Sequence, residues 1–232
     1  IKRLQEELIK HDIPIKLHCG AEVFFLPNLL KVKEDPLATF GHGNYMLVEF
    51  QPHQLPDIYK KELFNLKMSG VTPIIAHPER YKPVQKNFGI IENWLDAGCI
   101  IQVDAGSILG YLGPSAKLAS EKIIKNGWCQ ILGSDAHDNL KRKFCLSEAV
   151  DLVRNLIGDS VNSMVKDNPK AVIEGKPIIF EFEYEKSKIT IGRNILAKCF
   201  TLDHHFVVEI LSVCTRKQFL YSLRVSDLFE ER

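Results

Sequence analysis

Three stretches of the chain repeat one grammar: a helical run, a glycine, an apolar strand and then a polar cluster. They are NLKMSG followed by VTPIIAHPER, NWLDAG followed by CIIQVDAGS, and IIKNG followed by WCQILGSDAH. Gly70, Gly98 and Gly127 fall where a helix ends and the backbone needs positive φ, a conformation glycine adopts without steric cost. Each strand is apolar throughout, which leaves it no solvent face. Buried strands alternating with helices imply βα units and a parallel sheet, open or closed into a barrel. Two earlier runs, IKLHCGAEVF (15–24) and NYMLVEF (44–50), fit the same strand pattern. Residues 53–69 and 113–126 read as helices, and so does the opening IKRLQEELIKHDI, apolar at Ile1, Leu4, Leu8 and Ile9.

The polar residues gather at one place in this grammar. Glu22, Glu49, His77, Asp104, Asp135 and His137 all lie at or just past the C-terminal ends of predicted strands. In a barrel those ends share one face, which hosts the active site. One carboxylate there could be a helix cap, but six such groups are hard to explain by capping alone. His, Asp and Glu without Cys or Lys form a ligand set suited to Mn²⁺, Fe²⁺ or Zn²⁺. In Asp135-Ala136-His137, extended backbone would point positions i and i+2 to the same side, so both can face one metal cluster. Alone, the pair reads better as a capping Asp and a surface His; its coincidence with Glu22, Glu49 and His77 favours the metal. Arg80, in the loop after His77, and Arg142, shortly beyond His137, would form the anion-binding side, since guanidinium forks suit phosphate oxygens.

Composition narrows the function classes. The 232 residues allow one large domain, or one domain with an appendage. With 30 Lys+Arg against 29 Asp+Glu, no field of one sign recruits nucleic acid or a membrane surface. No apolar run approaches the ~20 residues that span a bilayer, and no signal segment is present, so a cytoplasmic location is expected. The six cysteines form no CxxC pair, and Cys99 and Cys129 sit in apolar runs where a thiol packs as a small hydrophobe. A thiolate phosphatase needs Cys-x5-Arg, and the residues six beyond each cysteine are Phe25, Ala105, Asp135, Asp151, His205 and Leu220. Phosphate-ester hydrolysis on this chain would therefore rely on metal-activated water.

After Gly175 the βα punctuation stops. FEFEYE (180–185) alternates as a half-exposed strand would, and residues 206–229 are mostly helical in pattern. Asp203, His204 and His205 are not assigned to a metal.

The blocks GAEVF, NYMLVEF, GVTPIIAHPERY, QVDAGSILGYLG, ILGSDAHD and DNPKAVIEGK resemble, in order and approximate spacing, the metal-dependent protein-tyrosine phosphatases of bacterial capsule and exopolysaccharide operons, within the polymerase and histidinol phosphatase (PHP) superfamily. The resemblance covers about residues 1–176 and leaves 177–232 as a tail unlike the family. It implies a distorted, seven-stranded, TIM-like β/α barrel and a manganese cluster. Glu22, Glu49, His77, Asp135 and His137 would be metal ligands, and Arg80 and Arg142 phosphate contacts. The implied substrate is phosphotyrosine on a bacterial tyrosine autokinase. Members of the family begin with a His-x-His strand and carry a further Thr-Pro-His stretch. No His-x-His occurs among the eight histidines here, so the first βα units and three ligands are expected to be missing. Asp104 stands where the family often has Asn. Two further readings stay open: a small-molecule phosphomonoesterase such as a histidinol phosphatase, and a truncated barrel that no longer catalyses.

Overall fold

The computed structural model describes residues 1–140, 142–178, 200–202 and 205–207. The chain divides into two units, Ile1–Phe182 and Glu183–Arg232.

In the first unit, helix α1 (Lys2–Lys10) precedes β1 (Glu22–Phe24), the short α2 (Leu29–Val32) and β2 (Tyr45–Glu49). Then follow α3 (Tyr59–Met68), β3 (Thr72–Ala76), a 3-10 turn (Pro78–Arg80), α4 (Lys82–Lys86) and α5 (Gly89–Asp96). Strand β4 (Ile100–Asp104), α6 (Ala105–Leu109), α7 (Pro114–Lys125), β5 (Ile131–Gly133), α8 (Leu146–Ile157) and α9 (Asn168–Glu174) complete it. The five strands pair in sequence order, β1-β2-β3-β4-β5, and every pairing is parallel. This is the α/β architecture the alternation predicts. Among the described residues β1 and β5 each have one strand neighbour, so the sheet is an open arc. Gly70, Gly98 and Gly127 all take positive φ directly after helical segments.

The sheet is covered on both faces. One face packs on the large core that includes Phe50, Trp94, Ile101 and Ile123, with the Phe50 ring stacked on Phe25 and Trp94 at centroid distances of 4.8 and 5.8 Å. The other carries Tyr45, Ile74, Ile100 and Ile131, closed by Val172 of α9. The register explains this second layer: Leu47 pairs with Ile74, Ile74 with Ile100, and Gln102 with Ile131, so their side chains line one face. Continuing along that face by twos reaches Glu49 and Asp104 at the C-terminal rim. Glu22, opposite Leu47, shares it.

Three segments depart from the sequence reading. The strand expected over 15–24 is confined to Glu22–Phe24. Upstream, the Gln5 side chain takes the backbone: its Nε2 donates to the Ile15 carbonyl at 2.8 Å and its Oε1 accepts from Leu17 N–H at 2.8 Å, so these groups enter no ladder. The helix expected over 53–69 starts at Tyr59, because Pro56 interrupts it and Tyr59 N–H turns back to the Pro56 carbonyl at 3.0 Å. In the tail, Phe206 and Val207 belong not to a helix but to strand β7 (His205–Val207), antiparallel to β6 (Phe200–Leu202). FEFEYE, Asp203, His204 and the remainder of 206–229 lie outside the described residues. Helix α1 forms as read, although it buries none of its residues.

Candidate metal centre

Three of the expected ligands meet. Glu22 opens β1, Glu49 closes β2, and His77 follows the last residue of β3. The His77 Nε2 lies 2.9 Å from Glu22 Oε1 and 3.5 Å from Glu49 Oε1. Among the described residues, these three offer ligand atoms that all lie within 4.8 Å of one another. His77 reaches this position through left-handed backbone, φ 30° and ψ 56°, which costs free energy in a non-glycine residue and turns its ring back over the strand ends.

The electrostatics of the trio fit a cation. Two carboxylates converging on one ring nitrogen repel each other unless positive charge sits between them. A protonated imidazole at His77 would supply that charge. Burial pulls the His77 pKa down, but the hydrogen bond to Glu22 and the nearby Glu79 and Glu22 carboxylates outweigh burial and hold it above its ordinary value. Glu22 is held below its usual range, chiefly by the same hydrogen bond. Glu–His–Glu is also a donor set that suits a borderline divalent ion. The buried His77 Nδ1 has no hydrogen-bond partner among the described residues.

The other expected residues form a second cluster. Asp135, just past β5, also has positive φ, 43°. Its Oδ2 accepts from Arg80 Nη1 at 2.8 Å and from Arg142 Nη2, so both arginines are engaged with this one carboxylate. Arg142 reaches it because its loop closes on itself: His137 N–H donates to the Arg142 carbonyl at 2.9 Å, while Asp138 Oδ1 accepts from Leu140 N–H at 2.7 Å and Arg142 N–H at 3.1 Å. His137 is exposed, and its Nδ1 sits 2.9 Å from the Asp135 carbonyl. The two clusters are neighbours, since Glu22 feels the charges of both Arg80 and His137.

Asp104 has the capping role. Its Oδ1 accepts from Gly106 N–H at 2.7 Å at the start of α6, and its Oδ2 is 3.9 Å from Arg80. Burial raises its pKa.

Two residues were given no role by the sequence reading. Tyr81 is buried, donates to the Ala76 carbonyl at 2.7 Å and accepts from Phe50 N–H at 2.9 Å. It thereby ties the end of β2, beside Glu49, to the end of β3, beside His77. Glu79 is fully buried, its Oε1 accepts from Asp104 N–H at 3.1 Å, and burial pushes its pKa up to about 7. Both stand in AHPERY, but Tyr81 reaches Phe50 across 31 residues and Glu79 reaches Asp104 across 25, and no local pattern announces those contacts.

The fold and this rim define an α/β protein with a candidate divalent-metal centre over the strand ends and paired guanidinium groups beside it. More specifically, the chain belongs to the capsular polysaccharide synthesis CpsB/CapC family, whose model matches residues 1–174. It is 25% identical over 177 residues to the tyrosine-protein phosphatase YwqE of Bacillus subtilis, covering 76% of this chain and 70% of that protein. It is 26% identical over 161 residues to the tyrosine-protein phosphatase CpsB of Streptococcus pneumoniae, covering 66% of each. Its fold matches a solved structure from work on YwqE and CpsB, described as unique metal-dependent tyrosine phosphatases, with TM-score 0.72 and 25% identity over 78% of this chain and 73% of that one. Among the described residues no helix is long and apolar enough to cross a membrane.

Proposed function

We propose that this chain is a metal-dependent protein-tyrosine phosphatase that acts in the cytoplasm on a tyrosine autokinase and so regulates capsular or exopolysaccharide synthesis. Residues 1–176 form its catalytic domain, an arc of a distorted PHP-type barrel, and 177–232 a separate tail. The observation that carries this reading is the meeting of Glu22, Glu49 and His77 beside an Asp135 clasped by Arg80 and Arg142.

Glu22, Glu49 and His77 would hold the cation, Mn²⁺ by preference over Fe²⁺ or Zn²⁺, with Asp135 and His137 completing the ligand set. The cation would supply a water of lowered pKa and a counter-charge for the phosphate. With the cation held there, Asp135 would serve as a ligand, and Arg80 and Arg142, which both bond to Asp135 here, would serve as the phosphoryl contacts. Positive charge held there stabilises the charge that develops during attack. The departing group is a phenolate, whose conjugate acid has a pKa of about 10, so its departure demands less of a general acid than an alkoxide would.

The test is hydrolysis of a phosphotyrosine peptide after treatment with chelator, after return of Mn²⁺, and after thiol alkylation. The proposal expects loss, recovery and indifference in that order. Activity that survives chelation but is lost on alkylation would exclude it.

A further inference from the structure

Asp135 and Arg142 of the second cluster border one narrow crevice together with Asp104, Tyr111, Leu112 and Lys143. Tyr111 and Leu112 are 51% and 36% exposed, although they sit in a segment held in place. Gly110 and Gly113 bracket them with φ of +92° and +94°, and the backbone is stapled by Tyr111 N–H to the Gly106 carbonyl at 2.9 Å and Gly113 N–H to the Gly110 carbonyl at 3.2 Å. The ring of Tyr111 is fixed as well. Its hydroxyl donates to Glu148 Oε2 at 2.9 Å, and Lys143 Nζ lies 5.9 Å from the ring centroid and 3.5 Å from Glu148 Oε1.

We infer that the Gly110–Gly113 turn is the specificity element of this site, and that Tyr111, flanked by Leu112 and Lys143, receives the aromatic ring of the substrate. The inference rests on the proposed phosphotyrosine reading for its substrate, but not for its geometry. A phosphate held by Arg142 must direct its ester group away from the guanidinium, and the half-exposed ring of Tyr111, which borders the same crevice as Arg142, gives that group an aromatic face to lie on. A preordered ring binds another ring with little loss of side-chain freedom, and ring pairs prefer offset or edge contacts of this kind.

The experiment measures binding of two non-hydrolysable probes, phenylphosphonate and methylphosphonate, to the Mn²⁺-loaded full chain by calorimetry. The wild type is expected to prefer the phenyl probe roughly two- to tenfold. Tyr111→Ala is expected to abolish that preference without changing methylphosphonate affinity, and Tyr111→Phe to retain it. Unchanged methylphosphonate binding also reports that the variant is folded. No preference in the wild type, no binding of either probe, or a preference that persists in Tyr111→Ala would each overturn the inference. Phosphotyrosine hydrolysis measured in parallel separates the two claims: ring preference without hydrolysis sinks the proposed function and leaves the shelf standing, and hydrolysis without ring preference does the reverse.

Discussion

Single residues set the chemistry, and the Glu22–His77 pair sets its dependence on pH. Glu22 has a depressed pKa in the folded chain, so its contribution to stability is present above pH 4.5 and is lost as pH falls through the lowered value. His77 has a raised pKa, so its contribution is present below pH 6.5 and is lost as pH rises through the higher value. In the metal-free chain the pair therefore stabilises most between pH 4.5 and 6.5. Glu22→Gln should lower stability to urea more at about pH 5.5 than at about pH 8.5; an equal loss at both would show that the two groups do not share a proton. The thiols behave in the opposite sense. Burial pushes Cys99 and Cys129 up to about 12, while Cys19 is exposed. Iodoacetamide mapped by mass spectrometry should label Cys19 in the native chain and Cys99 and Cys129 only after unfolding. That Glu49 and His77 stand at strand ends was legible because they follow apolar runs; Glu22 was expected at a strand end too, but it opens β1 instead. That Arg80 and Arg142 both spend their charge on Asp135 was not, since those contacts span 55 and 7 residues and depend on where loops fold back.

At the scale of the element, the βα units were readable wherever glycine marked a helix end, as at Gly70, Gly98 and Gly127. They were misread where side chains replaced ladder partners, as Gln5 does for residues 15–17, or where Pro56 delays α3. Tyr81 shows what such contacts contribute. Tyr81→Phe leaves the buried Phe50 N–H and Ala76 carbonyl without their hydroxyl partner. Unfolding in urea should register a loss of about 2 kcal/mol, and metal affinity should fall with it, because the same hydroxyl joins the strand ends that carry Glu49 and His77. Lost stability with unaltered metal affinity would confine Tyr81 to the core.

Across the whole molecule, the parallel sheet gives the site its position. Its inner layer of Tyr45, Ile74, Ile100 and Ile131 forms an apolar floor, and the acidic and imidazole groups stand at the rim above it. The parallel α/β class was legible from the alternation of elements, while the open form of the sheet among the described residues depends on contacts no local pattern encodes. We propose that Glu22, Glu49 and His77 are a divalent-metal site rather than an ion pair with a spare carboxylate. Electron paramagnetic resonance distinguishes free from bound Mn²⁺ directly in a titration of the intact chain, requires no substrate, and can be repeated on His77→Ala. The account predicts saturable Mn²⁺ binding in the wild type that weakens at least about tenfold in the variant. Equal binding in the two proteins would contradict it.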